Sequence, residues 1–236
     1  MQLAEVTVAP RYCGPPGSAN GGYVAGLLAL FATETVAVRL LAPPPLGVPL
    51  AVECLETGTL ELRDGARPVA TAAAATLSLA VPAALPVAAA VAAAAGFRGF
   101  RDHAYPGCFV CGPGRADGLR VFAGPVVHDG LECVAAPWQP DRSLAGTRQS
   151  VRPEFLWAAL DCPGYFAVAA GKTPMLLGTF SCRIDDRVAV GERCVVLGWR
   201  LGQDGRKHRA ATALYGADGR CVARATATWV ELRPAP

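Results

Sequence analysis

Asp161 is a carboxylate at the end of the apolar run Phe155-Leu156-Trp157-Ala158-Ala159-Leu160. Burial in such surroundings raises a carboxyl pKa, which is how a general base near neutrality is made. Pro163-Gly164 follows directly, so the competing reading is a helix interrupted at proline, with Asp161 satisfying amides freed at the break. A second candidate group is Asn20-Gly21-Gly22-Tyr23. Free N–H groups at a helix start stabilise the charge a carbonyl gains on attack, and glycine lets a ligand come close to the backbone. Its competing reading is a helix cap with close packing. The third group is Cys108-Phe109-Val110-Cys111-Gly112. A structural zinc needs four ligands, and no second Cys pair or His pair follows at matching spacing; His103, His128 or Cys133 would have to complete the set from afar. The expectation is therefore no metal and an ordered loop with buried thiols.

These groups sit in a chain that repeats its plan. Leu3 to Val8 alternates as a strand, and a Pro/Gly loop leads to an apolar helix from Gly21 to Ala32, capped by Ser18 or Asn20. Strands follow over 36–41, 50–55, 57–62 and 69–79, with Asp64-Gly65 turning the chain into the last of them. The second unit opens with strands over 119–122 and 131–136. It continues with a helix from Pro153 to Ala170, then strands over 176–184, 193–201, 208–215 and 220–232, with Asp204-Gly205 and Asp218-Gly219 at the hairpins. Between the units, the Ala-rich stretch from Val81 to Phe97 reads as a connecting helix, and 98–118 as a loop. Ala223, Ala225 and Ala227 share one strand face, small enough for a helix to lie close against the sheet.

Composition excludes several classes. With 52% hydrophobic and 17% charged residues the chain is globular, and a net charge of +3 without basic runs gives no case for nucleic acid. The start Met1-Gln2-Leu3-Ala4-Glu5 has no secretory pattern, and the Ala-rich stretch with Pro82 and Pro86 is no membrane span. Nine cysteines, an odd number in mostly apolar patterns, suit reduced thiols and a cytoplasmic location. There is no GxSxG elbow and no phosphate-binding or dinucleotide-binding glycine fingerprint.

Strand, helix and four strands, made twice in one chain, resemble the double hotdog. The helix entry Asn20-Gly21-Gly22-Tyr23-Val24-Ala25-Gly26 and the helix Phe155 to Asp161 resemble the acyl-CoA thioesterase II family. The resemblance implies an α+β fold, a tandem (double) hotdog in which each unit is a curved antiparallel sheet wrapped around a central helix. Its units are expected at 1–82 and 119–236, joined by 83–118. In that family a second-half aspartate, a Thr or Ser on the next strand and a Gln on the last strand hold the water that attacks a thioester. Asp161 matches the first position, and Thr179 the second, with Ser181 on the same strand face. At the Gln position stands Ala227, between Thr226 and Thr228.

The resemblance thus implies an acyl thioester hydrolase with Asp161, Thr179 and Ser181 as catalytic residues. Asn20, Gly21, Gly22, Tyr23 and Trp157 are the substrate-binding residues. Coenzyme A enters as part of the substrate, with no separate cofactor. The expected partners are acyl-CoA or an acyl carrier protein, with no nucleic acid and no membrane, and a homodimer is one expected assembly. Arg98, Arg101, Arg115, Arg120 and Arg148 are candidates for the phosphates of coenzyme A. None of His103, His128 and His208 lies on a helix, where a hotdog dehydratase would need its imidazole. Ala227 keeps an alternative open: a non-catalytic acyl-thioester-binding or assembly protein of the same fold.

Overall fold

In a computed structural model, residues 1–169 and 174–232 are described. β1 (Gln2–Thr7) leads to α1 (Gly21–Ala29), followed by β2 (Val36–Leu40), β3 (Pro49–Cys54), β4 (Leu60–Asp64) and β5 (Arg67–Ala74). The connection carries α2 (Val87–Ala95). After it come β6 (Gly124–His128), β7 (Leu131–Trp138), α3 (Pro153–Val168), β8 (Met175–Ile184), β9 (Cys194–Asp204), β10 (Lys207–Tyr215) and β11 (Cys221–Glu231).

All eleven strands form one antiparallel sheet in the order β1-β3-β4-β5-β2-β8-β11-β10-β9-β7-β6. The order β1-β3-β4-β5-β2 recurs as β7-β9-β10-β11-β8, reversed along the sheet, as a two-fold axis between β2 and β8 would place it. The halves join there through Ala37–Ser181, Val38–Phe180 and Arg39–Thr179. β6 has no counterpart in the first half.

Both central helices lie on one side of this sheet, and small residues set how closely they approach. A Cβ on Gly26 of α1 would stand 2.7 Å from Trp157 Cβ and 2.8 Å from Glu154 Cα of α3. Ala223, Ala225 and Ala227 of β11 are buried as the alternation requires, and a Cβ on Gly198 of β9 would stand 2.7 Å from the Pro163 carbonyl oxygen. The sheet therefore closes tightly on α3. On its other face, Ala90 and Ala93 of α2 pack with Leu197, Trp199, Ala213 and Tyr215.

Several expected boundaries move, each for a local reason. α3 continues through Pro163 instead of breaking. The proline ring removes one N–H from the ladder, but most of the helix is buried, and Thr212 Oγ1 ties it to β10 next to the gap by donating to the Leu160 carbonyl at 2.9 Å. Ala170, the expected end, lies outside the described residues. β5 stops at Ala74, which pairs with Val36, the first residue of β2, so the chain beyond it has no strand beside it. Residues 119–122 join no sheet; Leu119 and Val121 donate to the carbonyls of Phe109 and Val110 in the cysteine loop. The strand that opens the second half is β6, a few residues later. The connecting helix forms only over Val87–Ala95, with Pro86 at its N-cap. Among the described residues no helix is long and apolar enough to cross a membrane, and all nine cysteines are free.

Candidate functional site

α1 and α3 run antiparallel, so the start of α1 meets the second half of α3. Asn20 caps α1: its Oδ1 accepts the amide of Tyr23 at 2.9 Å, as an N-cap side chain should. Its Nδ2 donates to Asp161 Oδ2 at 2.8 Å, and the Gly22 amide donates to the same oxygen at 3.0 Å. Gly22 is required here, since a Cβ would stand 2.5 Å from Asp161 Cβ. Asp161 Oδ1 is buried and has no hydrogen-bond partner among the described residues. Burial pushes the carboxyl up to about 7; the bonds from Gly22 and Asn20 oppose that rise, and Cys108 adds to it. Asp161 therefore does not cap amides of its own helix. Its partners come from α1, across the boundary between the halves.

This carboxyl lines a cavity of about 770 Å³. Leu40, Pro43, Leu177 and Phe166 give the cavity apolar wall, while Arg98 and Arg206 contribute two cations. Arg98 Nη1 also donates to the Ala169 carbonyl. Trp229, another residue of the lining, also has a buried Nε1 without a partner among the described residues. Gly21 lines the cavity as the first residue of α1. Its amide has no acceptor within the helix, whereas those of Gly22 and Tyr23 are engaged by Asp161 and Asn20.

Asn20, Gly21, Gly22 and Asp161 are thus brought together, and four other expected site residues are not. Thr179 and Ser181 share a face, but Phe180 between them packs edge-on against Trp157 of α3 at 5.5 Å. The two hydroxyls therefore point away from α3, and Ser181 Oγ donates to the Val36 carbonyl at 2.9 Å. A bulge at Gly178 explains the miss: Thr228 pairs with Thr179 and Trp229 with Leu177, so Leu177, not Thr179, reaches the cavity. Trp157 fills the core between α1 and β8. Tyr23 stacks on Tyr12 with ring centroids 4.3 Å apart, in a cluster with Phe109 and Phe155 away from the cavity wall.

Cys108, Cys111 and Cys162 are residues whose convergence the sequence did not reveal. The cysteine loop lies against α3, and these three buried thiols line the same cavity as Asp161, with their sulfurs all within 4.8 Å of one another. Hydrogen bonds from the Cys111 and Cys162 thiols hold the Cys108 thiol well below its usual range. Cys111 is raised chiefly by burial, and Cys162 chiefly by its bond to Cys108. His103 stands over the loop, 3.2 Å from Cys111 Sγ through Nε2, and burial lowers its pKa. The only signal in the chain was Cys162 directly after Asp161.

No family model matches the sequence, and neither does any curated protein. Solved structures do match. The tesB protein of Mycobacterium avium subs paratuberculosis superposes with a TM-score of 0.65 at 13% identity, over 97% of this chain and 92% of that one. A conserved protein of unknown function with a hot dog fold from Alicyclobacillus acidocaldarius gives 0.63 at 13% identity, over 100% and 97%. At these identities the likeness shows the fold, and this chain has the hot dog fold along its whole described length.

Proposed function

We propose that this chain is a double hotdog protein, with one unit on each side of the β2–β8 junction, that hydrolyses an acyl thioester in the cavity between its two central helices. The observation that carries this reading is the geometry of Asp161, a residue of the cavity lining: one oxygen is fixed by Asn20 and Gly22, and the other is buried and unpartnered among the described residues. A carboxylate so placed positions a water and accepts its proton through Oδ1. The water oxygen adds to the thioester carbonyl carbon, and the C–S bond breaks. The proton leaves with the thiol, and the acid stays behind. The Gly21 amide is the donor nearest in kind to an oxyanion hole. The apolar wall suits an acyl chain, and Arg98 and Arg206 suit the anionic part of coenzyme A or a carrier's phosphopantetheine.

A second reading, an acyl-thioester-binding protein without turnover, is favoured by two positions. Ala227 stands where the family resemblance expects an amide side chain, and Thr179 faces away from Asp161. Thiol release from a panel of acyl-CoA esters separates the two. Hydrolysis that falls about 100-fold or more in Asp161→Asn is expected, the scale of a lost general base. Turnover unchanged by that substitution would remove Asp161 from the mechanism. Calorimetric binding of acyl-CoA with no turnover in the unsubstituted protein would select the second reading.

A further inference from the structure

We propose that Cys108, Cys111 and Cys162 form a zinc site in the cavity wall, with the fourth ligand position left to water or to a cavity ligand beside Asp161. The sequence alone led to the opposite expectation, because two ligands come from the loop and the third from α3, 54 residues along the chain from Cys108. The fold supplies the missing member.

The distances suit the ion. Zn–S bonds of about 2.3 Å in a tetrahedral shell put neighbouring sulfurs about 3.8 Å apart. Cys108 Sγ and Cys162 Sγ are 3.8 Å apart, and the three sulfurs are mutually within 4.8 Å. A disulfide needs about 2.05 Å, so these thiols are spaced for a shared ion rather than for a bond to one another.

The cysteine loop is held in a fixed turn with a histidine beside it. The Gly112 amide closes the cysteine turn on the Cys108 carbonyl at 2.9 Å. A Cβ on Gly112 would stand 2.5 Å from the carbonyl oxygens of Cys108 and Pro106, so only glycine admits this turn. His103 Nδ1 accepts the Tyr105 amide at 3.0 Å. A neutral ring then carries its proton on Nε2, which points at Cys111 Sγ. His103 is thus a donor to a ligand and not a ligand itself, an outer-shell role common around zinc. Three thiolates and an open position are the donor set of a site that keeps one place for water or substrate. Asp161, whose buried Oδ1 is unpartnered among the described residues, belongs to the lining of the same cavity. Zinc entry replaces the remaining thiol protons, which pass to solvent, and no electron moves.

The test is metal content of the full chain purified without chelators, read as zinc, iron and copper per chain, with cobalt(II) titration of the stripped protein beside it. One zinc per chain is expected. Cobalt should give an intense thiolate-to-metal charge-transfer band and the visible bands of a tetrahedral ion. Cys162→Ser and Cys108→Ser should lose the metal, with folding checked by circular dichroism, while Cys133→Ser, whose thiol packs with α2 on the other face of the sheet, keeps it. Wild-type zinc no higher than that of Cys162→Ser, together with cobalt uptake lacking the charge-transfer band, overturns the site. Iron in zinc's place overturns the choice of ion. None of these readings depends on turnover, so the site and the hydrolase reading fail separately.

Discussion

Asn20 works at both ends of one amide group. Its oxygen fixes the first turn of α1 and its nitrogen fixes Asp161, so helix start and carboxylate are positioned by the same side chain. Asn20→Ala removes an N-cap and one of two bonds to a buried acid, and is expected to cost about 1–3 kcal/mol. Chemical denaturation reads this, and a cost within 0.5 kcal/mol of zero, the range of an ordinary surface change, would show that the bond to Asp161 carries no weight. Hydrolysis should fall as well, since Oδ2 keeps only the Gly22 amide. At this scale the sequence was partly legible. A carboxylate among apolar residues and a glycine pair after Asn are visible as types, and they do meet. Thr179 and Ser181 were not placed correctly, because a single bulge at Gly178 decides which strand residues face α3, and nothing in the local pattern announces it. Cys162 was hidden because its partners are brought in by the fold.

Among the elements, the crossing of α1 and α3 controls the site. Gly22 and Gly26 are one turn apart on the face of α1 that touches α3. Gly26→Ala, away from the cavity, would press on Trp157 and Glu154 and force the helices apart, with an expected loss of about 1–3 kcal/mol as for other overpacked cores. Thermal unfolding of the variant checks this, and an unchanged midpoint would mean that the crossing is looser than its distances. The glycine spacing was readable as a helix entry but not as a helix contact, since periodicity shows which face is apolar and not what it touches. Hairpins were the most legible elements. Gly65, Gly205 and Gly219 hold positive φ angles of 55°, 51° and 81°, a conformation glycine adopts without strain. Strand ends were less so: the end of β5 is set by where its neighbour β2 begins.

The whole molecule has a two-fold frame and an unequal division of functional residues. The hot dog fold was legible because hydrophobic alternation and turn residues mark where strands begin and end, whereas the order in which they pair, with β3 and not β2 beside β1, is written in neither. The inequality is also visible residue by residue. Asp161 is the ninth residue of α3, and the ninth residue of α1 is Ala29. α1 opens with glycine amides, whereas α3 opens with Pro153, which has no N–H to offer. At the related end of the helix pair the position matching Asp161 holds no acid, and the position matching Gly21 has no N–H. A chain with two halves and one such centre has nothing within itself to be cooperative with. Its titration with a non-hydrolysed acyl-CoA analogue should be hyperbolic and saturate at one ligand per chain; two per chain would contradict the inequality. A sigmoidal curve would instead report communication between separate copies, so the shape of a binding isotherm becomes an assay of assembly.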